Sequence, residues 1–175
     1  RWWDASLSDT AKDPEQVVGR RVSAGFFDAL GVRPAVGRGF VPEEDTEGLD
    51  RVVVISHRLW QRVFASDPGI AGREISINGS AVSVIGVTSP EFGSAMVGLA
   101  FDIFIPVTMQ PIVSPGSNMV SNRNAMWLDV MGRLKAGVST ERAAEDVLRI
   151  SRQLESDYPQ GARDRTLGVF PLLSA

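Results

Sequence analysis

The clearest pattern of hydrophobic and polar positions lies in the segment 51–87. It opens with the β-branched run 52–55, which is too short for a helix and therefore predicts a buried strand. Ser56 follows and can accept a backbone N–H as the N-cap of a helix. Apolar residues then recur at helical spacing: Leu59, Trp60, Val63 and Phe64. We expect the Asp67–Pro68 pair to end this helix, because proline disfavours helical geometry at the residue before it.

Strict alternation of apolar and polar residues predicts a hairpin after this helix. Ile75 and Ile77 alternate with polar residues as far as Asn78–Gly79. This dipeptide tolerates positive φ at both positions, as a two-residue type I′ turn requires. The alternation then resumes, so we expect Ile75 to lie opposite Val82 on an apolar face. Full burial of each such side chain contributes about 1.5–3 kcal/mol.

The rest of the chain predicts shorter strands, one helical turn and one long helix. The turn spans 26–30 and ends at Gly31, a residue type preferred just after a helix. The long helix begins at a cap formed by Ser139 or Thr140 and runs to about Asp157. Further strands are predicted at 16–24, 101–107, 126–134 and 166–172. Loops or irregular extensions are predicted at 1–15, 32–40, 89–98 and 108–124.

Composition limits the classes of protein that the chain can represent. With 175 residues, 43% of them hydrophobic, it can bury the core of one domain or of two small intertwined subdomains. Its 18 Lys and Arg against 21 Asp and Glu give a net charge of −3, which argues against a nucleic-acid partner. The lack of cysteine excludes disulfides and cysteine-ligated zinc.

Membrane and targeting signals are missing from the sequence. No run approaches the roughly 18–20 apolar residues that a transmembrane helix needs. The chain opens Arg1-Trp2-Trp3, without an initiator Met or the apolar core of a signal peptide. We therefore expect an excised or processed fragment of a longer protein, anchored or exported by segments outside these residues.

Polar residues of the chain form no arrangement that predicts catalysis or metal binding. Glu43, Glu44 and Asp45 are close enough in sequence to coordinate a divalent cation, but they lack the alternating oxygen ligands of a calcium loop. A solvated loop is the favoured interpretation. His57, the sole histidine, is expected to be a surface residue in a first helical turn rather than a base or metal ligand. We predict neither an enzyme nor a bound cofactor.

Two groups of apolar residues are candidate contact sites. Trp2 and Trp3 are of the type that binds sugars or membrane interfaces, although packing or plain exposure is the favoured interpretation. Phe92 and Met96 lie in a predicted loop and are candidates for a contact surface, with local packing as the alternative. Phe92 and Met96 are the only site residues that the sequence predicts.

Three blocks of the sequence resemble one family. They are VSAGFFDALGVRPAVGRGFVPEED at 22–45, the segment 52–87, which ends in NGSAVSVIGV, and LDVMGRLKAGVSTERAAEDVLRI at 128–150. Together they are similar to the MacB-like periplasmic core domain of MacB/FtsX-type ABC transporter permeases. The sequence of the second block is most similar to those of the orphan, duplicated permeases of that superfamily.

The resemblance implies an α+β fold with two parts. A porter-like βαβ subdomain would comprise 1–24 and 125–175, without the first strand and helix that the family has. An inserted, mostly-β, sabre-like subdomain would comprise 25–124. The strand, helix and strand predicted across 126–172 fit the porter-like part.

The resemblance also implies a function. It predicts a non-catalytic extracytoplasmic domain, on the periplasmic face and anchored to the inner membrane in the full-length protein, that couples ATP-driven motion to substrates or partner proteins. The implied partners are the transmembrane helices of the same permease, a separate or fused ATPase, a periplasmic adaptor and a second copy of the chain. The alternative is a stand-alone extracytoplasmic binding module for a peptide, lipid or sugar.

Overall fold

The computed structural model describes residues 2–8, 14–92, 100–116, 119–122, 125–158 and 167–171. Within them the strands are β1 (Trp2–Ser8), β2 (Glu15–Val22), β3 (Val36–Gly37), β4 (Val52–Ile55), β5 (Glu74–Ile77), β6 (Ser80–Val87) and β7 (Ile103–Pro106). The helices are α1 (Phe26–Leu30), α2 (His57–Phe64), α3 (Gln110–Val113) and α4 (Thr140–Asp157). Short 3₁₀ helices occupy Pro42–Asp45 and Val107–Met109. The mixed α and β content agrees with the predicted class.

The chain divides into two compact units. The first comprises Arg1–Ser121 with Trp127–Met131 and holds all the strands of the described residues. The second comprises Asn122–Met126 with Gly132–Ala175 and holds α4. As predicted, the side chain of Ser139 caps α4 by accepting the backbone N–H of Arg142 at 3.2 Å.

Six strands of the first unit pair in a closed circuit, which we call the ring. β1 pairs with β2, β2 with β7, β7 with β4, β4 with β6, β6 with β5, and β5 with β1. The β2–β7 and β4–β6 pairs are parallel and the others are antiparallel. β4 pairs with one edge of β6. The other edge pairs with β5 along its first half and with β3 at its end. Closure gives each strand of the ring a neighbour on both sides, although β1 and β5 pair only through Leu7 with Ile77 and Ser8 with Ser76.

The ring separates two hydrophobic cores. The first core takes buried side chains from all six strands of the ring and from α2, which places it inside the ring. The second core lies where α1 packs on the opposite face of β2, β4 and β7. Its buried members are Val22, Phe26, Phe27, Phe40, Val54, Phe101 and Phe104. Alternation along β2, β4 and β7 therefore supplies both cores.

The predicted hairpin is confirmed. Asn78 and Gly79 have φ of 50° and 81°, both left-handed, and Ile75 pairs with Val82. The Asn78 side chain also accepts the backbone N–H of Ser6 at 2.8 Å, which ties the turn to β1. Asn78 thus adopts the positive φ that the turn requires and also helps to close the ring.

The strand and helix predicted before the hairpin are present, but the helix ends early. The Ser56 side chain accepts the N–H of Leu59 at 3.1 Å, as an N-cap does. α2 ends at Phe64 rather than at the Asp-Pro pair, because Ala65 and Ser66 adopt left-handed φ of 50° and 58°. Proline is therefore not what ends this helix.

The predicted extension at 1–15 is wrong for its first half. β1 occupies Trp2–Ser8 and buries Ala5 and Leu7 inside the ring. The apolar residues at positions 3, 5 and 7 alternate with polar ones, which is a strand signal. The many polar residues of this segment hid that alternation.

The strand predicted at 126–134 is also wrong. Residues 125–135 form no ladder, and Leu128 and Val130 are 52% and 97% exposed. Alternation alone does not make a strand, because a strand also needs a partner edge for its backbone groups. The predicted final strand is absent from 167–171, and its remaining residues lie outside the described ones. The described residues therefore form no βαβ unit across 126–172.

Two predicted irregular segments contain short elements. The loop at 32–40 includes β3, and the segment at 108–124 includes α3 and part of a 3₁₀ helix. The strands predicted at 16–24 and 101–107 are confirmed as β2 and β7, each at a slightly different length. The division into 1–24 with 125–175 and 25–124 stays a prediction, and β2 and β7 pair across the boundary at residue 24.

Asp102 connects several elements of the first unit. Its buried carboxylate accepts the N–H of Val18 at 3.1 Å through Oδ2 and a hydrogen bond from Arg58 at 2.8 Å through Oδ1. Its backbone carbonyl accepts the N–H of Ser56 at 2.8 Å. These bonds position the start of β7 against β2 and α2.

Gly86 offers a test of how closely the chain packs on the ring. A Cβ at this position would lie 2.3 Å from the carbonyl oxygen of Arg38. We expect Gly86→Ala to lower the free energy of unfolding by about 1–3 kcal/mol, measured by urea denaturation, because backbone atoms must move.

Gly25 provides the matched control. It has a φ of −75°, and a Cβ there would meet no atom within 4 Å. Gly25→Ala is expected to change the free energy of unfolding by no more than about 1 kcal/mol. Equal effects of the two substitutions would contradict this account of the close approach.

Candidate functional site

The predicted contact surface consists of Phe92 and Met96. Phe92 packs within the first unit. Its ring centroid lies 6.5 Å from that of Phe26, 5.8 Å from Phe27 and 5.7 Å from Phe104. The side chain is half-buried against the second core. Met96 lies outside the described residues. The contact surface therefore stays a prediction, and the visible role of Phe92 is local packing.

The acidic cluster is not the solvated loop that the sequence predicts. Glu44 is buried and accepts two hydrogen bonds from Arg38, at 2.6 and 3.0 Å. It also accepts the N–H of Val41 at 2.9 Å. Asp45 accepts a backbone N–H just before α1, which leaves Glu43 as the exposed member. The hydrogen bonds that Arg38 donates to Glu44 raise the pKa of the Arg38 guanidinium, although partial burial acts in the opposite direction.

His57 and the rest of the described residues show no metal cluster. The His57 ring packs edge-to-face on Trp60, with centroids 5.3 Å apart, and its backbone N–H donates to Thr88 Oγ1 at 3.2 Å. No group of three or more His, Asp or Glu side chains that could hold a metal ion occurs in the parts of the chain that the structure describes. His57 lies in the first turn of α2, as predicted, but it is half-buried against Trp60 rather than a surface residue.

The two tryptophans at the start of β1 differ in environment. Trp2 is 49% exposed. Trp3 packs against the first core, and the guanidinium of Arg21 lies 4.6 Å from the centre of its ring. Gly19 makes room for this indole, since a Cβ there would lie 2.3 Å from it. Packing is thus the observed role of Trp3.

Sequence reasoning missed a cavity of ligand-binding size beside β2. It has a volume of about 360 Å³ and lies between the end of β2, α1 and the extended segment 128–131. Arg20 lines it and is only 6% exposed. The available signal was the pair Arg20-Arg21 between Val18-Gly19 and Val22 in a predicted strand, because arginine is rarely fully buried unless it is paired.

Arg20 carries a charge in an apolar setting. Its guanidinium lies 5.5 Å from the ring centre of Phe26 and 5.2 Å from that of Phe101. Burial lowers the pKa of Arg20, and the negative charge of Asp129 opposes part of that effect. On the other face of β2, Arg21 Nη2 donates to Ser114 Oγ at 2.6 Å, while Arg21 Nε is buried without a partner among the described residues.

The comparison with protein families identifies the class of this chain. The model of the MacB-like periplasmic core domain matches residues 3–150. The chain therefore belongs to this family, and the resemblance carried by its three sequence blocks is confirmed. These are periplasmic domains of ABC transporter permeases, and the family is not a known catalytic one.

Two solved structures share the fold. One is the extracellular domain of the noncanonic ABC-type transporter YknZ from Gram-positive bacteria, with a TM-score of 0.63 and 16% identity over 92% of this chain and 75% of that one. The other is the periplasmic region of MacB from Actinobacillus actinomycetemcomitans, with a TM-score of 0.62 and 17% identity over 92% of this chain and 66% of that one. At such identities the likeness shows the fold alone.

Two further comparisons are negative. No curated protein matches the chain. Among the described residues, no helix combines the length and the apolar character needed to cross a bilayer.

The role of Glu44 can be tested by substitution. We expect Glu44→Gln to lower the free energy of unfolding by about 1–2 kcal/mol, because it removes charge-assisted hydrogen bonds whose arginine partner is half-exposed and therefore screened. Thermal and urea denaturation measure the change. Glu43→Gln is the control, and we expect it to stay within about 0.5 kcal/mol because Glu43 is exposed. A Glu44→Gln protein as stable as this control would show that the loop is solvated after all.

Proposed function

We propose that this chain is the extracytoplasmic domain of an ABC transporter permease that couples ATP-driven motion across the membrane to a substrate or a partner protein. The observation that carries the proposal is the family match over residues 3–150. Coupling requires the permease's own transmembrane helices and an ATPase, fused or separate. A periplasmic adaptor and a second copy of the chain are further partners of the proposal. The full-length protein is anchored to the inner membrane, with this domain on the outer face.

The architecture of the first unit supports a mechanical role. Six strands hydrogen-bond in a closed circuit around a packed core. Packed interiors have low compressibility and pass a displacement on rather than absorb it. A body of this kind transmits a force applied at one end to whatever is bound at the other.

The chain's lack of cysteine allows a direct test in the full-length permease. Leu49→Cys and Arg152→Cys place spin labels on exposed positions of the first and second units. We expect the distance distribution between these labels to change on ATP hydrolysis by the paired ATPase, because coupling requires the domain to move in response to it. Pulsed electron spin resonance measures this distribution.

A label pair within the first unit provides the control. Leu49→Cys with Glu74→Cys joins two exposed positions of one compact unit, so its distances should not change. A hydrolysis-deficient ATPase should abolish the change in the first pair. If that pair gave the same distances with ATP, with ADP and with the deficient ATPase, coupling through motion between these units would be rejected.

Flanking coding sequence separates this function from a stand-alone extracytoplasmic binding module. We expect a run of about 20 apolar residues soon after Ala175 and another before Arg1, because a transmembrane helix needs that length. Hydropathy of the complete reading frame is the measurement. Polar flanks, or a cleavable signal peptide with a stop codon after Ala175, would favour the binding module for a peptide, lipid or sugar.

A further inference from the structure

Asn78 holds the junction at which the ring closes. Its backbone N–H donates to the carbonyl oxygen of Ser6 at 2.9 Å, and its Oδ1 accepts the N–H of Ser6 at 2.8 Å. Its Nδ2 donates to the carbonyl oxygen of Val113, the last residue of α3, at 2.9 Å. This one residue therefore ties the turn between β5 and β6 to both β1 and α3.

The pairing of β1 with β5 is short and lies near the surface. The two strands meet in only two residue pairs, Leu7 with Ile77 and Ser8 with Ser76, whereas β1 and β2 share six. The β4–β7 pairing is equally short, but all four of its residues are buried, while Ser8 and Ser76 are partly exposed. Proteins open locally where few buried contacts hold them. We therefore expect the ring to open first between β1 and β5.

The turn at this junction contains a reactive pair of residues. Asn78 precedes Gly79, and no other Asn–Gly pair occurs in the sequence. Gly79 is exposed, has a φ of 81°, and its N–H takes part in no hydrogen bond of the described residues. Because glycine has no Cβ, its nitrogen can approach the side chain of the preceding residue without hindrance. Asn–Gly is therefore the pair in which asparagine cyclises most readily.

We propose that Asn78 is a site of deamidation that is controlled by opening of the β1–β5 junction. Cyclisation requires the side chain to turn until its Cγ meets the nitrogen of Gly79. The bonds of Oδ1 to Ser6 and of Nδ2 to Val113 oppose this rotation while the ring is closed. When β1 separates, the bond to Ser6 is lost and the side chain can turn. The inference goes beyond the proposed coupling function and does not depend on it.

The reaction consumes water and releases ammonia, without any oxidation or reduction. The nitrogen of Gly79 gives its proton to hydroxide and forms a bond to Cγ of Asn78. The side-chain nitrogen Nδ2 takes up a proton and leaves as ammonia, which produces a cyclic imide. Water then opens the imide at either carbonyl carbon and gives aspartate or isoaspartate. Asn78 is exposed, so water reaches it.

Neither product can restore the original junction. An ionised aspartate has acceptors only, so it cannot donate to the carbonyl oxygen of Val113, and two oxygens would face each other there. Isoaspartate also lengthens the backbone within the turn. The reaction therefore converts a reversible opening of the ring into a lasting one.

The first measurement compares the folded 175-residue chain with the same chain unfolded in guanidinium chloride, at one mildly alkaline pH. Peptide mass spectrometry locates each amide that has become an acid, and isoaspartate identifies the cyclic route. We expect isoaspartate at Asn78 in both samples. The folded chain should react more slowly by about 10-fold or more, because its reaction must wait for local opening.

A disulfide across the junction tests the control by opening. Ser8→Cys with Ser76→Cys joins two directly paired residues of a chain that has no other cysteine. Opposed residues of antiparallel strands have Cα separations that a disulfide spans. We expect the oxidised protein to deamidate at Asn78 about 10-fold more slowly than the same protein kept reduced, because the disulfide prevents β1 from separating.

The effect of the product can be measured with Asn78→Asp. Amide hydrogen exchange at Ser6 and at residue 78, followed by NMR, should be faster by about 10-fold because the bond to Val113 is lost. Gln61→Glu makes the same change from amide to acid at an exposed position of α2. It is the control and should leave both exchange rates unchanged.

Several results would overturn the inference. They are equal deamidation rates in the folded and unfolded chains, equal rates in the oxidised and reduced double-cysteine protein, no isoaspartate at Asn78 in the folded chain, or exchange in Asn78→Asp that matches Gln61→Glu. Should a variant fail to fold, the comparison of the folded and unfolded unsubstituted chain decides the question by itself.

Discussion

The fold of the first unit depends on β5, because the two edges of this strand pair with two different strands. It pairs with β1 through Leu7 and Ile77 and with β6 through the hairpin. Without the first of these pairings, the six strands would form an open sheet with β1 and β5 as exposed edges. The bond from the N–H of Ser6 to Asn78 lies at this junction. Ring closure encloses the first core. The opposite faces of the strands point outward, and helices and loops outside the ring can pack on them.

One of those outer faces carries both the aromatic core and the cavity. α1 packs Phe26 and Phe27 over β7, where Phe104 is buried. Arg20 lies on the same face of β2, between aromatic rings and beside open space. Because neighbouring residues of a strand point to opposite faces, Arg20 and Arg21 have different surroundings although they are adjacent. Arg21 donates to a hydroxyl and lies near the Trp3 ring, whereas Arg20 lies between the rings of Phe26 and Phe101.

Family membership and fold agree on a periplasmic domain of a transporter permease. The polar groups that first suggest chemistry have structural roles in this unit. Glu44 anchors a loop through Arg38, Asp102 joins β7 to its neighbours, and His57 packs in a helical turn. In the described part of the first unit, these polar groups thus hold the fold together.

The sequence by itself determined the elements whose signals are local. The β-branched run of β4, the Ser56 cap and the Asn78–Gly79 turn each need only a few neighbouring residues, and all three are present. The three blocks that carry the family resemblance are local in the same sense. Tertiary structure alone decided the rest. β1 forms because edges of β2 and β5 are available to it, whereas 126–134 alternates equally well and finds no edge in the described residues. The burial of Arg20 likewise depends on Phe101, a residue distant in the chain, and no pattern along the sequence records which surfaces will meet.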